Sequence, residues 1–464
     1  MIKRPNFLFI LVDDLGWMDL GCYGSSFYET PNLDKLASEG ISFTNAHASC
    51  PVCSPTRASI LTGKYPATLG LTQFIGGNTE GKLIEPTYID HLPLNEMSLA
   101  ATLKENGYQT WHVGKWHLGG EAYYPEKHGF DVNIAGCEYG IPIHGYFSPW
   151  RIPNLEDLPI KKRRNKKYLT DHLTDEAIKL ILASDDKPFY LNMWYYSVHI
   201  PIQAKRDYIR YYREKAKKQG LKDLDPFEIG ENFPCTHKKD HFIKRRVIQS
   251  NPKYAAMIHS LDENIGRLIE TLEDVGKRDD TVIIFYSDNG GLSTAEGSPT
   301  CNSPLSEGKG WMYEGGTRVP LIINWSNIVE PGRLSKALIT STDFYPTILE
   351  MANIPLMSNQ HCDGMSFLPV LKGKIKHNRG PIFWHYPHYG NQGGTPGSSI
   401  IVDNYKLIQF YEDNHLELYN LETDIGEKNN IISKEPKIAH QLSKILRDWT
   451  RKSKALFPRR KKNN

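Results

Sequence analysis

Short apolar runs that alternate with helical patterns constrain the fold of this chain more than any other feature. The runs are rich in β-branched and aromatic residues and bounded by turn residues, which is typical of strands; they cover Asn6–Val12, 108–113, 189–196, Thr281–Ser287 and 319–324. Helical patterns lie between them at 31–39, 98–106, 171–183 and 255–275. This order of elements favours an α/β domain built on a largely parallel sheet. The continuously apolar strands suit central positions that are buried on both faces.

The pattern changes after about residue 375. Four short strands with tight turns follow one another at 381–386, 399–402, 406–411 and Leu416–Asn420, and one amphipathic helix follows at 436–449. Neighbouring strands joined by tight turns favour an antiparallel sheet. We therefore predict two domains, with an α/β domain over residues 1–374 and a smaller antiparallel sheet plus helix over 375–464.

The beginning of the chain imitates a secretory signal without matching one. Lys3 and Arg4 precede an apolar run at 7–12, but the run ends in Asp13 and Asp14, and no cleavage site or membrane core would tolerate these. We expect a buried first strand and no membrane span, in a chain that is either the trimmed form of a periplasmic or secreted protein or cytoplasmic. A formal net charge of +3 does not indicate a nucleic-acid partner.

The cysteines do not form the pattern of a disulfide framework. Seven of them are scattered along the chain, and an odd, irregular set is not typical of disulfide-stabilised domains. Cys50 and Cys53 have the spacing of a redox pair or of half a zinc site, but no second pair follows, and Pro51 and Pro55 crowd them. Both interpretations are therefore weak.

Acidic side chains follow two of the predicted strands. Asp13 and Asp14 come directly after the first strand, and Asp288 and Asn289 come after Thr281–Ser287. Ligand sites of open α/β sheets gather at the carboxyl ends of strands. Ligation by oxygen alone favours Ca²⁺ or Mg²⁺ over zinc. We predict a site for one hard cation at this edge.

A third motif carries a resemblance to a known family. The sequence from Cys53 through Pro55 and Arg57, continuing to Leu61-Thr62-Gly63, resembles the Cys-x-Pro-x-Arg…Leu-Thr-Gly signature of type I sulfatases, within the alkaline phosphatase superfamily. Lys64 replaces an arginine that is common there. Residues 114–119 (Gly-Lys-Trp-His-Leu-Gly) and 308–310 (Gly-Lys-Gly) look like further family motifs. The resemblance extends to about Asn420 and implies a large mixed sheet sandwiched by helices, with a smaller C-terminal sheet domain.

The resemblance also implies roles for individual residues. A maturation enzyme would oxidise Cys53 to formylglycine, whose hydrate attacks the sulfur of a sulfate ester. The ligands of one Ca²⁺ ion, with Mg²⁺ as a less favoured alternative, would be Asp13, Asp14, Asp288, Asn289 and the modified residue 53. Other catalytic positions would be Arg57, which holds the nucleophile, Lys115 and Lys309, which bind sulfate oxygens, His117, which acts at the nucleophile, and His199, which faces the ester oxygen. The segment around His199 departs from the family, in which a proline more often precedes the histidine.

The substrate is less evident from the sequence, although a sulfated saccharide is favoured. Candidate sugar contacts are His144, Trp150, Arg151, His385, His388 and Tyr389, for each of which a packing or surface role is an equal alternative. Three other functions stay open: an arylsulfatase, a formylglycine-dependent phosphonate or phosphodiester hydrolase, and an inactive glycan-binding protein. The two-zinc phosphatases of the superfamily carry an Asp-His pair where this chain has Asp288 and Asn289, which favours a single cation here.

Overall fold

A computed structural model describes residues 4–157, 166–357, 360–374 and 379–461. Its main element is an eight-stranded sheet, whose strands we number in chain order: β1 Asn6–Val12, β2 Ile41–Phe43, β3 Gln109–Gly114, β4 Val132–Ile134, β5 Phe189–Trp194, β6 Thr281–Ser287, β7 Leu321–Asn324 and β8 Arg333–Ser335. The spatial order is β8-β2-β7-β6-β1-β5-β3-β4. Only β7 among these eight is antiparallel to its neighbours. The prediction of a mixed, mostly parallel sheet is thereby confirmed.

Helices cover both faces of this sheet. The longer ones are α1 Pro31–Ser38, α2 Cys53–Thr62, α3 Leu99–Glu105, α4 Leu169–Leu182, α5 Arg206–Lys218, α6 Pro252–Asp274, α7 Phe344–Met351 and α8 Pro436–Lys452. Alternate residues of β1 enter two different cores, Leu8 and Ile10 with α1, α4 and α6, and Phe7 and Phe9 with α2, α3 and α7. Because successive side chains of a strand point to opposite faces, the continuous apolar run of β1 fills both cores at once.

A second sheet follows the first. It consists of β9 Ile382–Tyr386, β10 Gly397–Val402, β11 Tyr405–Phe410 and β12 Leu416–Asn420, all antiparallel in sequential order. One face packs on α8 through Leu407 and Leu442, and the other contributes Trp384 and Ile408 to a core shared with Cys50 and Met312 of the first domain. This confirms the predicted small sheet plus helix. The division after residue 374 stays a prediction, since residues 375–378 lie outside the described part.

Smaller elements complete the chain. Three two-stranded pairs join Ala46–His47 to Ile339–Thr340, Leu83–Ile84 to Arg459–Arg460, and Phe227–Asn232 to Phe242–Arg246, and short helices span Pro66–Leu69, Glu314–Thr317 and Leu368–Leu371. Within the residues that the structure describes, no helix combines the length and the apolar character needed to span a bilayer.

Candidate active site

The predicted site residues converge at the carboxyl edge of the main sheet. Asp13 follows β1, Asp288 follows β6, Lys115 follows β3, and His199 lies five residues after β5. These four strands are consecutive neighbours in the order β6-β1-β5-β3 and run parallel, so that their carboxyl ends meet. The site therefore arises from sheet topology rather than from one local motif.

Position 53 lies beside the acidic pair of β1. Cys53 is the first residue of α2 and is almost fully buried. Single potential ligand atoms of Asp13, Asp14, Cys53 and His199 all lie within 4.8 Å of one another. The amino end of a helix favours negative charge, because its first backbone N–H groups have no partner in the helix. Residue 53 is thus presented to the two carboxylates by a helix end that favours an anion.

Arg57 connects Asp288 and the Lys115 backbone through hydrogen bonds. Its Nε and Nη2 donate to Asp288 Oδ2 at 2.9 and 2.7 Å, and its Nη1 donates to the Lys115 carbonyl at 3.0 Å. The guanidinium also stacks 5.3 Å from the ring centre of Trp194. Burial acts to lower the pKa of Arg57, but Asp288 and Asp13 outweigh it and raise the pKa. A fully buried, permanently positive group therefore faces position 53 from the same helix.

Two lysines neutralise the paired aspartates. Lys115 Nζ lies 2.6 Å from Asp13 Oδ2, and Lys309 Nζ lies 2.8 Å from Asp14 and 2.8 Å from His199 Nε2. Burial alone would raise the pKa of Asp14, but His199 and Lys309 hold it well below its usual range. Burial would also lower the pKa of Lys309, but the charges of Asp14 and its neighbours raise it well above the ordinary value. The Lys309–Asp14 pair is therefore ionised.

Two buried oxygens suit a hard cation. Asp13 Oδ1 and Asn289 Oδ1 have no hydrogen-bond partner among the described residues, and buried polar atoms of this kind normally require one. Burial, together with repulsion from Asp288 and Asp14, raises the pKa of Asp13 to about 8, because Lys115 and Arg57 only partly offset it. A cation would supply what these oxygens lack. The donor set is mainly oxygen, which fits Ca²⁺ or Mg²⁺.

His117 has one ring nitrogen without a hydrogen-bond partner among the described residues. Its Nε2 lies 3.0 Å from the Ile75 carbonyl, which can only accept, so Nε2 carries the proton. Nδ1 is buried without a partner among the described residues. Burial, reinforced by Lys115, places the pKa of His117 well below its ordinary value. His117 is thus a neutral imidazole whose free lone pair is available as a base.

The structure weakens the alternative interpretations of Cys50 and Cys53. All seven cysteines are free. Burial raises the pKa of the Cys50 thiol far above its ordinary value, whereas zinc binding and redox exchange use thiolates. Cys50 instead packs against Val52 and Trp384 in the core between the two sheets.

The candidate sugar contacts are dispersed. His144 and Arg151 are exposed, and their role stays a prediction. Trp150 is fully buried, donates its Nε1–H to the Tyr146 carbonyl and stacks on His172, so its expected position at the cleft is corrected to the core.

The two histidines and the tyrosine near the second sheet also differ from the expectation. His385 is enclosed by Ser398, Tyr411 and the Leu456 carbonyl. His388 lies between Thr72 and Glu85, and Tyr389 is fully buried. Because their polar atoms are bonded within the protein, these rings connect segments of the chain, and a contact with the substrate stays a prediction for them.

Sequence reasoning did not find three features of the site. His199 joins the group of potential cation ligands, the Trp194 ring supports Arg57, and a glycine-rich loop at 390–397 touches the segment of Lys309. A Cβ on Gly394 would lie 1.9 Å from the Gly310 carbonyl oxygen. The sequence had placed His199 at the site through its resemblance to the family but not among the cation ligands, and the other two features depend on distant contacts.

Comparison with known proteins agrees with this geometry. Residues 5–354 match the family model described as "Sulfatase", and residues 307–452 match "N-sulphoglucosamine sulphohydrolase, C-terminal". A "Sulfatase" of Formosa agariphila is 32% identical over 98% of this chain and 90% of its own length. The "N-acetylgalactosamine-6-sulfatase" of Homo sapiens is 30% identical over 82% of this chain and 68% of its own length.

Solved structures give the same result. Ps i-CgsB in complex with k-i-k-neocarrahexaose superposes with a TM-score of 0.77 at 28% identity, covering 97% of this chain and 93% of that one. BT4656 in complex with its substrate D-glucosamine-2-N,6-O-disulfate gives 0.74 at 25% identity, covering 97% and 98%. The match to the family model covers well over half of the chain, and the expectation from the sequence motifs is confirmed. The chain belongs to the sulfatase family and is a sulfuric ester hydrolase.

Proposed function

We propose that this protein removes sulfate from a sulfated carbohydrate, with residue 53 matured to formylglycine as the nucleophile and one Ca²⁺ ion in the site. The observation that carries this proposal is the juxtaposition of Cys53, Asp13 and Asp14, whose ligand atoms lie within 4.8 Å of one another, beside two buried oxygens that lack a donor. Carbohydrate is the substrate class in the names of the human relative and of the two solved complexes.

The absent groups would supply two pieces of chemistry. A formylglycine hydrate offers one hydroxyl for attack on sulfur and a second whose deprotonation expels sulfate, and Ca²⁺ offers a fixed positive charge beside it. The residues that would hold the ion are Asp13, Asp14, Asp288, Asn289 and residue 53, with His199 close by. A thiol at position 53 could not release sulfate in this way, which is why maturation belongs to the proposal.

The cationic side chains favour the charge distribution of the reaction. Sulfate esters carry one negative charge, and more charge develops on the leaving oxygen as the ester bond breaks. Lys115, Lys309 and Arg57 are fixed, buried and positive. In a dry pocket such preorganised charges stabilise a developing anion more than water would. We assign sulfate binding to Lys115 and Lys309, and the orientation of residue 53 to Arg57.

Two histidines would move protons. The bare Nδ1 of His117 would take the proton from the hydroxyl that expels sulfate. His199 Nδ1 faces the Ile200 carbonyl at 3.1 Å, which leaves Nε2 as the acceptor from the Lys309 ammonium. The Lys309–His199 pair thus holds the proton that the leaving sugar oxygen would take up. General acid catalysis of this kind contributes about 10²–10⁴-fold.

The decisive experiment uses protein that has been produced together with a sulfatase-maturation enzyme. Mass analysis of the peptide containing residue 53 should show the mass of formylglycine, and sulfate release should occur from at least one member of a panel of saccharides with defined sulfate positions. Cys53→Ala should fold and release none. A clear preference for an aryl phosphodiester over every sulfate ester would favour the phosphodiesterase alternative. A residue 53 that stays wholly thiol would favour an inactive glycan-binding protein.

The compartment follows from the same proposal. Calcium is plentiful outside the cytoplasm, so we assign the reaction to the periplasm or the cell exterior. Detection of the protein in the periplasmic or culture fraction of its native host would test this assignment, and recovery only from the cytoplasm would contradict it.

A further inference from the structure

A large groove adjoins the candidate active site. It has a volume of about 1260 Å³ and is lined by α5, by the residues that follow α5, and by the loops at 200–202, 250–253 and 296–299. Two of its lining residues lie near the site. Ile200 directly follows His199, and the charge of Glu296 acts on Lys309. Sites for small molecules usually have about 300–1,000 Å³, so this groove has room for more than one sugar residue.

The groove carries an excess of positive charge. Its charged lining residues are five bases and two acids: Arg213, Lys217, Lys222, Arg246 and Lys253 against Glu214 and Glu296. Apart from Arg246, these bases are exposed, and their side chains form no ion pair or hydrogen bond with any described residue. Arg213 and Lys217 are four residues apart in α5 and therefore share a face of the helix.

A second surface groove serves as a comparison, because its bases are paired with acidic residues of the protein. Between α1, α4 and α6 lies a groove of about 690 Å³ that also contains several bases. There, Lys167 and Arg267 both pair with Asp175, and Lys205 pairs with Asp171. Those cations are neutralised by the protein itself, whereas the cations beside the active site are not.

Arg246 provides a buried charge without a carboxylate. It is 8% exposed, its Nε donates to the Ser298 carbonyl at 2.5 Å, its Nη1 donates to Ser250 Oγ at 3.1 Å, and it stacks 4.5 Å from the Phe227 ring centre. No carboxylate among the described residues forms an ion pair with it. Burial of an unpaired charge is costly, and an anion in the groove would offset that cost.

We propose that this groove binds a second anionic group, a sulfate or a carboxylate, on a sugar residue next to the one that is desulfated. This inference rests on the proposed function, because it places the rest of the glycan beside the reacting ester. Arg246 fixes one positive charge in the wall, and Arg213, Lys217, Lys222 and Lys253 surround it with mobile cations. The enzyme would therefore favour multiply charged glycans over singly sulfated ones.

Steady-state kinetics of a matched substrate series test the inference. Three oligosaccharides carry the same sulfated sugar, next to a neutral sugar, a sulfated sugar or a uronic acid. The variant Arg213→Gln/Lys217→Gln removes two groove charges. Each exposed ion pair is worth roughly 1.4- to 5-fold in affinity, so the KM for the two charged substrates should rise about 2- to 25-fold. The kcat values, and the KM for the neutral neighbour, should stay unchanged.

Lys218→Gln is the matched control. Lys218 is the next residue of α5, is also exposed, has no ion pair with a described residue, and does not line the groove. Lys218→Gln should change neither the kcat nor the KM for any of the three substrates. Equal changes for all three substrates, or no change in the double variant, would overturn the inference. The comparison of sulfated and uronate neighbours identifies which anion the groove prefers.

A binding measurement separates failure of this inference from failure of the proposed function. Cys53→Ala is titrated calorimetrically with sucrose octasulfate, with and without the Arg213→Gln/Lys217→Gln changes. We expect weaker binding and a shallower salt dependence when the two charges are absent, since fewer ion pairs form. Unchanged affinity would overturn the inference even where sulfate release is normal. Absence of sulfate release from all three oligosaccharides by wild type would refute the proposed function, and the titration would still decide about the groove.

Discussion

Replacement of Lys406 by methionine should destabilise the junction between the two sheets, and more at high pH than at low pH. Lys406 lies on β11 in the second sheet and is fully buried. Its Nζ lies 2.8 Å from Glu314 and 3.0 Å from Glu427. Glu314 belongs to the segment that follows Lys309, so this cluster connects the second sheet to the active-site loop.

The expected loss in the free energy of unfolding follows from the contacts that Glu314 and Glu427 keep when Lys406 is replaced. Each ion pair is worth roughly 6 kcal/mol at these distances for an effective dielectric constant of about 20, but much of this offsets the desolvation of the ammonium. Loss of one partner from a buried pair costs about 3–5 kcal/mol. Glu314 keeps Arg318 and His47 as partners, whereas Glu427 keeps, among the described residues, only the backbone N–H of Glu314. The loss of stability therefore comes mainly from Glu427, which is left buried with too few partners.

The pH dependence follows from Glu427. Burial raises its pKa from 4.5 to about 7 in the folded protein. A carboxyl whose folded pKa is raised stabilises the fold below its unfolded pKa, and this stabilisation is lost as pH rises through the folded pKa. In the wild type the loss between about pH 4.5 and 7 amounts to roughly 3 kcal/mol. Without Lys406 the pKa of Glu427 rises further, so the variant loses more stability at pH 8 than at pH 5.5, where Glu427 is protonated in both proteins.

Urea unfolding at pH 5.5 and pH 8.0 measures this difference. Intrinsic tryptophan fluorescence follows the unfolding, and Trp384, one of the nine tryptophans, has its ring centre 5.7 Å from Lys406 Nζ. The double variant Lys406→Met/Glu427→Gln is the control, because it removes the stranded carboxylate and should recover stability at pH 8.0. Equal losses at the two pH values, or no recovery in the double variant, would refute the reasoning.

Further predictions concern the cation, the glycine-rich loop and the core. Chelation of Ca²⁺ should lower the free energy of unfolding, by about 2.7 kcal/mol when calcium is present at about 100 times its Kd, and Asp14→Asn should remove most of this calcium dependence in thermal melts. Gly394→Ala should displace the segment of Lys309, since its Cβ would lie 1.9 Å from the Gly310 carbonyl. If the overpacking cost of about 1–3 kcal/mol appears in the transition state, kcat/KM should fall about 5- to 150-fold, while Gly120→Ala, which meets no atom within 4 Å, should leave kcat/KM unchanged. Trp150→Phe should lower the free energy of unfolding by about 1–3 kcal/mol, because the smaller ring leaves a cavity in the core and the Tyr146 carbonyl keeps only the Leu169 N–H as a donor among the described residues. The KM for a saccharide sulfate should stay unchanged; a selective rise in that KM would indicate that Trp150 contacts the substrate.

Sequence patterns predicted well the elements with a long apolar run or a clear periodic pattern. The bounds of β1, β6 and β12 agree with the predicted runs. Helix α6 begins three residues before the predicted range of 255–275 and ends one residue before its end. The three-residue strands β2, β4 and β8 were not predicted. A strand of that length has too few residues for a periodic pattern, and only its neighbours in the sheet define it.

Helix α2 shows why a motif can be evident when its structure is not. All ten of its residues are buried, including Ser54, Thr56 and Arg57, so it has no polar face and lacks the 3.6-residue period that indicates a surface helix. Its polar side chains have partners elsewhere, as Arg57 has in Asp288. The motif was recognisable from residue identities, while the helix depended on burial that the sequence does not display.

Two kinds of residue at the site differ in how far sequence can identify them. Asp13 and Asp288 could be placed together because each directly ends a strand, and parallel strands bring their carboxyl ends to one edge of the sheet. The cations of the groove offer no such rule, since Arg213, Arg246 and Lys253 come from separate segments and look like ordinary surface charges until their lack of carboxylate partners is seen. Chemistry at strand ends therefore follows from the fold, whereas the groove is formed by segments outside the main sheet. For this reason the site residues could be predicted from the sequence, and the proposal of a preference for multiply charged glycans required the structure.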